Sequence, residues 1–343
     1  MRVLLVAPFN SAKYRTRRFD FFGRRLANGF TRNGHFVVTF SDRDSVKHAL
    51  GIKSIGAMLA SHRLIELAGY VRPDLLCLHT FDLISPDTVH RIKKMLPGCR
   101  VTAVYCDALL DPVRTARFGK SLDGVDFGFA TTGGPTLARF ANICPVAFIP
   151  NMVDISIDNA HAFAKLEKST DVFCACGNTG PADRWGLIDE LRRQRPALRY
   201  GLYGRHKRNL ISEEFLFQAM KDAKVGLNVN QFEGDLYASD RMALYIGNGL
   251  LLATYRCSGF TRYFDENEML FFDSAADLGQ QIERAVSDDS IWRAMAERGY
   301  RKALAIMSET IVTDFIVRMT MGHGPPEGWI FSDQIYAMPA RTR

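Results

Sequence analysis

Two doubly wound α/β domains are the fold class that the sequence predicts, and three observations support it. Short apolar runs typical of buried strands alternate with helical patterns along most of the chain. The alternation occurs in two series, separated by a polar stretch without strong periodicity at residues 151–170. The length of 343 residues is long for one core and suits two domains of about 150 residues each.

The first series predicts a domain over residues 1–150. Its helical patterns include an amphipathic one in which Phe19, Phe22, Leu26 and Phe30 recur at three- and four-residue spacing and which Gly34 ends. Other helices are predicted over Ser54–Tyr70 and from Ser85-Pro86, a helix cap followed by a proline at the first position. The predicted strands are Arg2–Ala7, Phe36–Phe40, Leu75–His79, Val101–Cys106, Phe127–Thr131 and Val146–Ile149.

The second series predicts a domain over residues 171–308, with 151–170 as the crossing. Its predicted strands are Val172–Cys176, Tyr200–Tyr203, Val225–Val229, Leu250–Thr254 and Met269–Phe272. Its predicted helices are Asp183–Gln194, Ser212–Asp222, Ser239–Ile246, Ala275–Ser287 and Ser290–Leu304. A last helix over Glu309–Met321 and an irregular tail over 322–343 complete the chain.

Composition places the chain among cytoplasmic globular proteins. Apolar residues make up 47%, and no run approaches the ~18 residues that a membrane helix needs. The opening MRVLLVAPFN is not typical of a signal peptide. The seven cysteines are scattered through apolar segments, which favours a reducing compartment. Cys174 and Cys176 have no second pair to complete a zinc site.

The formal charge of +7 comes partly from Lys13–Arg25, where six basic residues accompany one acid, Asp20. Three interpretations stay open: the solvated face of a core helix, a patch for an anionic acceptor or acidic lipid headgroups, or a nucleic-acid surface. The last is the weakest, because no nucleic-acid reader motif accompanies the patch. We therefore expect no nucleic-acid partner.

The N-terminal domain does not have the pattern of a dinucleotide site. The loop after its first strand, PFNSAKYR, contains no glycine, and a G-x-G-x-x-G turn is what lets a pyrophosphate approach the backbone. Asp42, after the second strand, could mimic the ribose-binding acid of such a site, but it does not replace the missing glycine turn.

Ligands of open parallel sheets bind beyond the carboxyl ends of the strands. In the second domain these positions carry glycines, backbone donors and cations, as a nucleoside diphosphate requires. Each signal is weak alone, since such glycines are often turns and such cations are usually solvated. The predicted donor-binding residues are Gly177, Asn178, Thr179, Gly204, Arg205, Lys207, Tyr237, Ser239, Asp240 and Arg241.

The stretch ASDRMALYIGNGLLLAT at Ala238–Thr254, with Gly259-Phe260 and NEMLFF at Asn267–Phe272, resembles the nucleotide-sugar-binding part of group 1 glycosyltransferases and of their CgeB-like, spore protein-like branch. The resemblance implies the GT-B fold, two Rossmann-like domains facing a cleft, with the last helix packing back on the first domain. It also implies Arg184 as a donor-binding cation, a nucleotide-diphosphate sugar as donor, no further cofactor and no essential metal.

One departure from that family concerns its paired glutamates, E-x7-E. Counting back from Gly249 places the two positions at Leu236 and Leu244. Ribose contact must then come from another acid, with Glu233, Asp235 and Asp240 as candidates, or the donor differs.

Acceptor groups are expected on the N-terminal domain. Asn10, Lys13 and Arg15 are predicted to bind the acceptor, and His79 and Asp107 are the candidate bases, because each sits at a strand's carboxyl end. The alternative for His79 is a hydrogen bond to backbone. Other acids considered are Asp42, Asp82 and Asp111; turn and cap chemistry is the alternative for Asp82 and Asp87. Asp42-Arg43-Asp44 matches a D-x-D metal motif only in its letters.

The sequence therefore predicts a cytoplasmic glycosyltransferase, peripheral at the inner face of the membrane, acting on a glycan or lipid-linked acceptor in bacterial surface polysaccharide or lipid-oligosaccharide synthesis. Two alternatives remain: a non-catalytic nucleotide- or glycan-binding relative, and a nucleotide-sugar epimerase.

Overall fold

A computed structural model of the chain describes residues 1–9, 21–47, 53–79, 83–178, 183–206 and 209–338. The predicted site residues outside these ranges are Asn10, Lys13, Arg15, Asp82, Thr179 and Lys207. The chain divides into two compact units, the first formed by Met1–Pro150 with Glu309–Arg343 and the second by Asn151–Ser308.

The first unit begins as an alternating α/β domain. Its elements up to residue 150 are β1 (Arg2–Val6), α1 (Phe21–Arg32), β2 (Phe36–Phe40), α2 (Asp42–Lys47), α3 (Lys53–Val71), β3 (Leu75–His79), α4 (Pro86–Met95), β4 (Arg100–Tyr105), α5 (Pro112–Ser121), β5 (Phe127–Ala130), α6 (Gly134–Ala138) and β6 (Val146–Phe148). The interior strand β3 is buried at all five positions, as expected for a parallel sheet covered on both faces.

The second unit repeats the alternation on a smaller sheet. Its elements are β7 (Thr170–Ala175), α7 (Arg184–Gln194), β8 (Tyr200–Tyr203), α8 (Glu213–Lys221), β9 (Ala223–Asn228), α9 (Arg241–Gly247), β10 (Leu251–Tyr255), β11 (Leu270–Phe272), α10 (Ala275–Val286) and α11 (Asp289–Met307). The five strands lie in the order β11-β10-β9-β7-β8, and all four pairings are parallel.

The chain then returns to the first unit through α12 (Glu309–Met321) and β12 (Ile335–Tyr336). Helix α12 packs on α1, where Asn33 Nδ2 donates to the Thr310 carbonyl at 2.8 Å. A Cβ at Gly29 would overlap the Glu309 carbonyl oxygen, so the helices approach closely where α1 has no side chain. Strand β12 pairs antiparallel with β6 and completes a seven-stranded sheet, β12-β6-β5-β4-β3-β1-β2.

Two sequence predictions need correction here. The tail is not wholly irregular, because it contains β12; a two-residue edge strand leaves no periodic signal. Residues 151–170 are part of the second unit: the Asn248 side chain accepts from Ala160 N at 3.1 Å and donates to Asp158 at 3.1 Å. Side-chain hydrogen bonds rather than a repeated apolar face fix this segment.

The basic first helix is also less solvated than its charge suggests. Arg25, counted in the basic patch, is only 3% exposed beside Phe22 and Leu26 in the core-facing part of α1. Within the described part of the chain, every helix is too short or too polar to span a bilayer.

Candidate functional site

The candidate site lies at the carboxyl edge of the second unit's sheet. Gly177-Asn178 follow β7, Gly204-Arg205 follow β8, and the loop 229–240 follows β9. These three strands are neighbours in the order β9-β7-β8 and run in parallel. The loops that carry the predicted donor-binding residues, within the described part of the chain, therefore leave the sheet at the same edge.

Gly204 is required by the backbone at this edge. Its φ is +96°, and a Cβ there would lie 2.5 Å from the Cys176 carbonyl oxygen. Its N–H donates to the Asn209 carbonyl at 2.7 Å. The glycine lets the end of β8 pass close to the end of β7.

The loop after β9 is held by two buried asparagines that the sequence analysis missed. Ser239 Oγ donates to Asn228 Oδ1 at 2.7 Å, and Ser239 N donates to Asn230 Oδ1 at 3.2 Å. Asn230 Nδ2 donates to the Tyr237 carbonyl at 3.0 Å. The sequence does carry a signal for them, because the two asparagines stand two positions apart at the end of a buried apolar strand. Their network fixes the chain that enters α9.

Arg241, the first residue of α9, is a partly buried cation. Its Nη2 donates to the Val229 carbonyl at 2.9 Å, and its buried Nε has no hydrogen-bond partner within the described residues. Burial alone would lower the pKa of Arg241, but Tyr245 and Asp240 raise it. Across the described ranges, no carboxylate lies within ion-pair distance of this guanidinium, which leaves charge for an anionic ligand.

Arg184, at the start of α7, is the second cation of this edge and is buried, with 5% of its surface exposed. Burial, followed by the charge of Arg241, lowers the pKa of Arg184. The two arginines therefore act on each other electrostatically, although one belongs to the helix after β7 and the other to the helix after β9. Two such cations make the edge strongly electropositive.

Cys176 lies beside this pair and was classified from the sequence only as a small buried hydrophobe. A hydrogen bond from the Cys174 thiol lowers the pKa of Cys176 to about 7, against the effect of burial, and Arg241 and Arg184 lower it further. The lowered pKa of Cys176 therefore has two sources, first the Cys174 hydrogen bond and then the charges of the two arginines.

Other predicted donor residues are engaged elsewhere. Arg205 forms a two-point ion pair with Asp189, with both N–O distances 2.9 Å, and lies over the Trp185 ring. Asp235 pairs with Arg262 at 2.6 Å.

The three remaining donor candidates lie near the loop after β9 but differ in exposure. Asp240 is exposed at the cap position of α9, where its side chain makes no capping bond. Glu233 is exposed. Burial of Tyr255, followed by the charge of Glu233, raises the pKa of Tyr255 to about 12. Tyr237 is buried. At the positions of the paired glutamates, Leu236 is buried with a φ of +46° and Leu244 is half-buried on α9.

The N-terminal candidates lie at the carboxyl edge of the other sheet, within the first unit. His79 is 1% exposed, stacks on Phe22 at 4.7 Å and donates through Nδ1 to the Val104 carbonyl at 3.2 Å. This geometry favours the alternative of a backbone-bonded residue. Asp107 follows β4 and is half-exposed, and Asp111 caps α5 by accepting from Arg114 N at 3.0 Å.

In the part of the chain that the structure describes, His, Cys, Asp and Glu side chains do not gather into a group of three or more that could hold a metal ion. Asp42 and Asp44 lie in α2, a helix the sequence did not predict, and both are buried. The absence of an essential metal stays a prediction.

A protein-family model matches part of the second unit. Residues 184–308 match the family model described as glycosyl transferase-like, and this segment contains Arg184 and Arg241. A search of curated protein sequences found no match to this chain.

Solved structures extend the similarity to nearly the whole chain. Anabaena HepE in complex with UDP and glucose is 10% identical, with 94% of this chain and 100% of that chain covered and a TM-score of 0.55. The trehalose 6-phosphate synthase of Burkholderia multivorans is 11% identical, with coverages of 94% and 96% and a TM-score of 0.60. A Listeria monocytogenes protein named as a candidate UDP-N-acetylglucosamine 2-epimerase is 10% identical, with coverages of 94% and 96% and a TM-score of 0.53. The chain therefore has the GT-B fold, two Rossmann-like α/β units, and carries a glycosyl transferase-like segment in its C-terminal unit.

Proposed function

We propose that this chain is a glycosyltransferase that moves a sugar from a nucleotide-diphosphate donor to a hydroxyl of a glycan or lipid-linked acceptor. The observation that carries the proposal is a pair of arginines at the carboxyl edge of the second unit's sheet, Arg184, which is buried, and Arg241, which is partly buried. Support comes from the glycosyl transferase-like segment around them and from the UDP bound by HepE, a structural neighbour.

Sugar transfer requires positive charge where the diphosphate leaves. In the transfer, the bond between the sugar's anomeric carbon and the diphosphate oxygen breaks, and a bond from that carbon to the acceptor oxygen forms. The acceptor proton passes to a base, and the diphosphate leaves with additional negative charge. Arg184, Arg241 and backbone N–H groups near Gly177 and Ser239 stabilise that charge; a single such donor contributes about 3 kcal/mol to transition-state stabilisation.

For the acceptor base, Asp107 fits better than His79. Asp107 is half-exposed at the end of β4, whereas the His79 ring is buried and its Nδ1 is used by backbone. A base must reach the acceptor hydroxyl, and a buried ring cannot do so without repacking. Asn10, Lys13 and Arg15, outside the described residues, remain the proposed acceptor contacts.

The setting we propose is the cytoplasm, at the inner face of a bacterial membrane, in surface polysaccharide or lipid-oligosaccharide synthesis by a CgeB-like transferase without essential metal. The basic segment at residues 13–25 supports an anionic surface or acceptor as partner and gives no indication of nucleic acid. Co-sedimentation with acidic but not neutral liposomes is the expected result; equal sedimentation with both would refute the membrane part.

A thermal-shift screen with UDP, GDP, CMP, ADP and dTDP tests the donor site. One nucleotide is expected to raise the melting temperature, because a ligand at 100 times its dissociation constant adds about 2.7 kcal/mol. The shift is expected to vanish in Arg241→Ala and to persist in Arg301→Ala, a control that removes an exposed arginine paired with Glu297 on α11. An equal shift in Arg241→Ala would refute the placement of the site.

Turnover separates the transferase from its alternatives. Sugar transfer that needs an added acceptor supports the proposal. Conversion of the nucleotide sugar without an acceptor would identify an epimerase, and nucleotide binding without turnover would identify a binding relative.

A further inference from the structure

A cavity in the first unit is separate from the arginine pair and has its own chemistry. It has a volume of about 600 Å³, within the range of small-molecule sites. Its lining comes from α3, from the start of α4, from the end of β4 and from α5. Ile84 and Val89 form buried apolar wall, and Val113 is apolar and exposed.

A tyrosine and two basic side chains supply hydrogen-bond donors to this cavity. Tyr105 lines it, and the buried Tyr105 hydroxyl has no hydrogen-bond partner among the described residues. Burial and then Asp107 raise the pKa of Tyr105 against the opposing effect of Arg117, so the phenol keeps its proton at neutral pH. A buried donor without an acceptor is costly, and a ligand oxygen would satisfy it.

Two cations accompany the tyrosine. Arg117 and Lys120, both on α5, line the cavity and are exposed, which places them at its mouth. Neither forms an ion pair within the ranges that the structure describes. The acid on the same lining, Asp123, is paired with His90 at 3.1 Å. The lining therefore carries two cations against one carboxylate, so the cavity combines an apolar interior with a net positive charge.

We propose that this cavity binds an amphiphile with an apolar body and a phosphate head. The body packs against Ile84, Val89 and the Tyr105 ring, while the phosphate oxygens accept from Arg117, Lys120 and the Tyr105 hydroxyl. A phosphate ion alone leaves the apolar wall uncovered, and a neutral apolar molecule leaves the three donors without acceptors. Identification of this ligand with the glycosyl acceptor rests on the proposed function; the binding site itself does not.

Calorimetric titration with decyl phosphate below its micelle concentration tests the site without any nucleotide sugar. One saturable site is expected, with inorganic phosphate and decanol each binding at least about tenfold more weakly, because each lacks half of the contacts. Absence of saturable binding, or equal binding of inorganic phosphate, would overturn the proposal whatever the result of the nucleotide screen.

Variants locate the binding. Arg117→Gln/Lys120→Gln is expected to lower the affinity about tenfold or more, and Tyr105→Phe, which keeps the ring, about threefold or more. Arg91→Gln/Lys94→Gln removes the same charge from exposed positions of α4 and is expected to change affinity less than about twofold. Ala116→Trp keeps every charge and obstructs the cavity, so binding should be lost. Unchanged binding in Ala116→Trp, or equal losses in the two double variants, would assign binding to surface charge and refute the site.

Discussion

The carboxyl edges of the two sheets have the same architecture but differ in how their charges are compensated. In the second unit, Arg241 is partly buried without a carboxylate within ion-pair distance in the described part of the chain, and Arg184 lies within its electrostatic influence. In the first unit, His79 is bonded to backbone and Asp111 caps a helix. A parallel sheet provides an edge where a ligand can bind; a cation without a carboxylate partner indicates where along the second unit's edge the diphosphate binds.

Replacing Arg241 should have the largest effect. Arg241→Ala is expected to lower turnover about 100-fold or more, because one preorganised donor to a developing anion typically contributes that much. Initial rates with the nucleotide sugar selected by the thermal-shift screen measure it, and Arg301→Ala is the matched control. A loss below about threefold in a folded Arg241→Ala protein would remove the distinction between the two edges.

The polar networks of the two edges should differ in strength. Asn228→Ala is expected to lower the free energy of unfolding by about 2–3 kcal/mol, because Asn228 is fully buried and bonded to Asn230, Ser239 and Thr254. Asp111→Ala removes one helix cap and should cost only about 1 kcal/mol. Urea denaturation of both variants measures this; a larger loss for Asp111→Ala would reverse the ranking.

His79 distinguishes packing from catalysis at the first unit's edge. His79→Gln keeps a donor for the Val104 carbonyl but loses the stacking on Phe22, so a loss of about 1 kcal/mol in stability is expected. Turnover should stay within about threefold of the original. If turnover instead falls about 100-fold with stability unchanged, His79 is the base that the sequence analysis nominated.

The sequence predicts much of this fold because strands such as Leu75–His79 are continuous apolar runs and helices such as α4 carry their own start signals. It predicts Arg241 for the same local reason, since the residue opens a helix after a strand. The sequence does not reveal interactions between residues that are distant in the chain and become neighbours only in the folded structure. The ion pair of Arg205 with Asp189 joins residues on different elements, and the shift of Cys176 arises from Cys174, Arg184 and Arg241 together.

The smallest expected effect is a pH dependence of stability and nucleotide affinity that arises from ionisation of the Cys176 thiol. Its pKa is lowered to about 7 in the folded chain from an ordinary value of 9.0, so its thiolate stabilises the fold above pH 9, and this stabilisation is lost as the pH falls through about 7. Stability should therefore rise between pH 7 and 9, while affinity for the nucleotide falls by about threefold, because the thiolate places a negative charge beside the two arginines. Cys176→Ser keeps the shape without the titration and should flatten both profiles in urea and calorimetric measurements. If stability and nucleotide affinity still change with pH in Cys176→Ser, another group titrates in this range, and Cys176 does not report the charge of the two arginines.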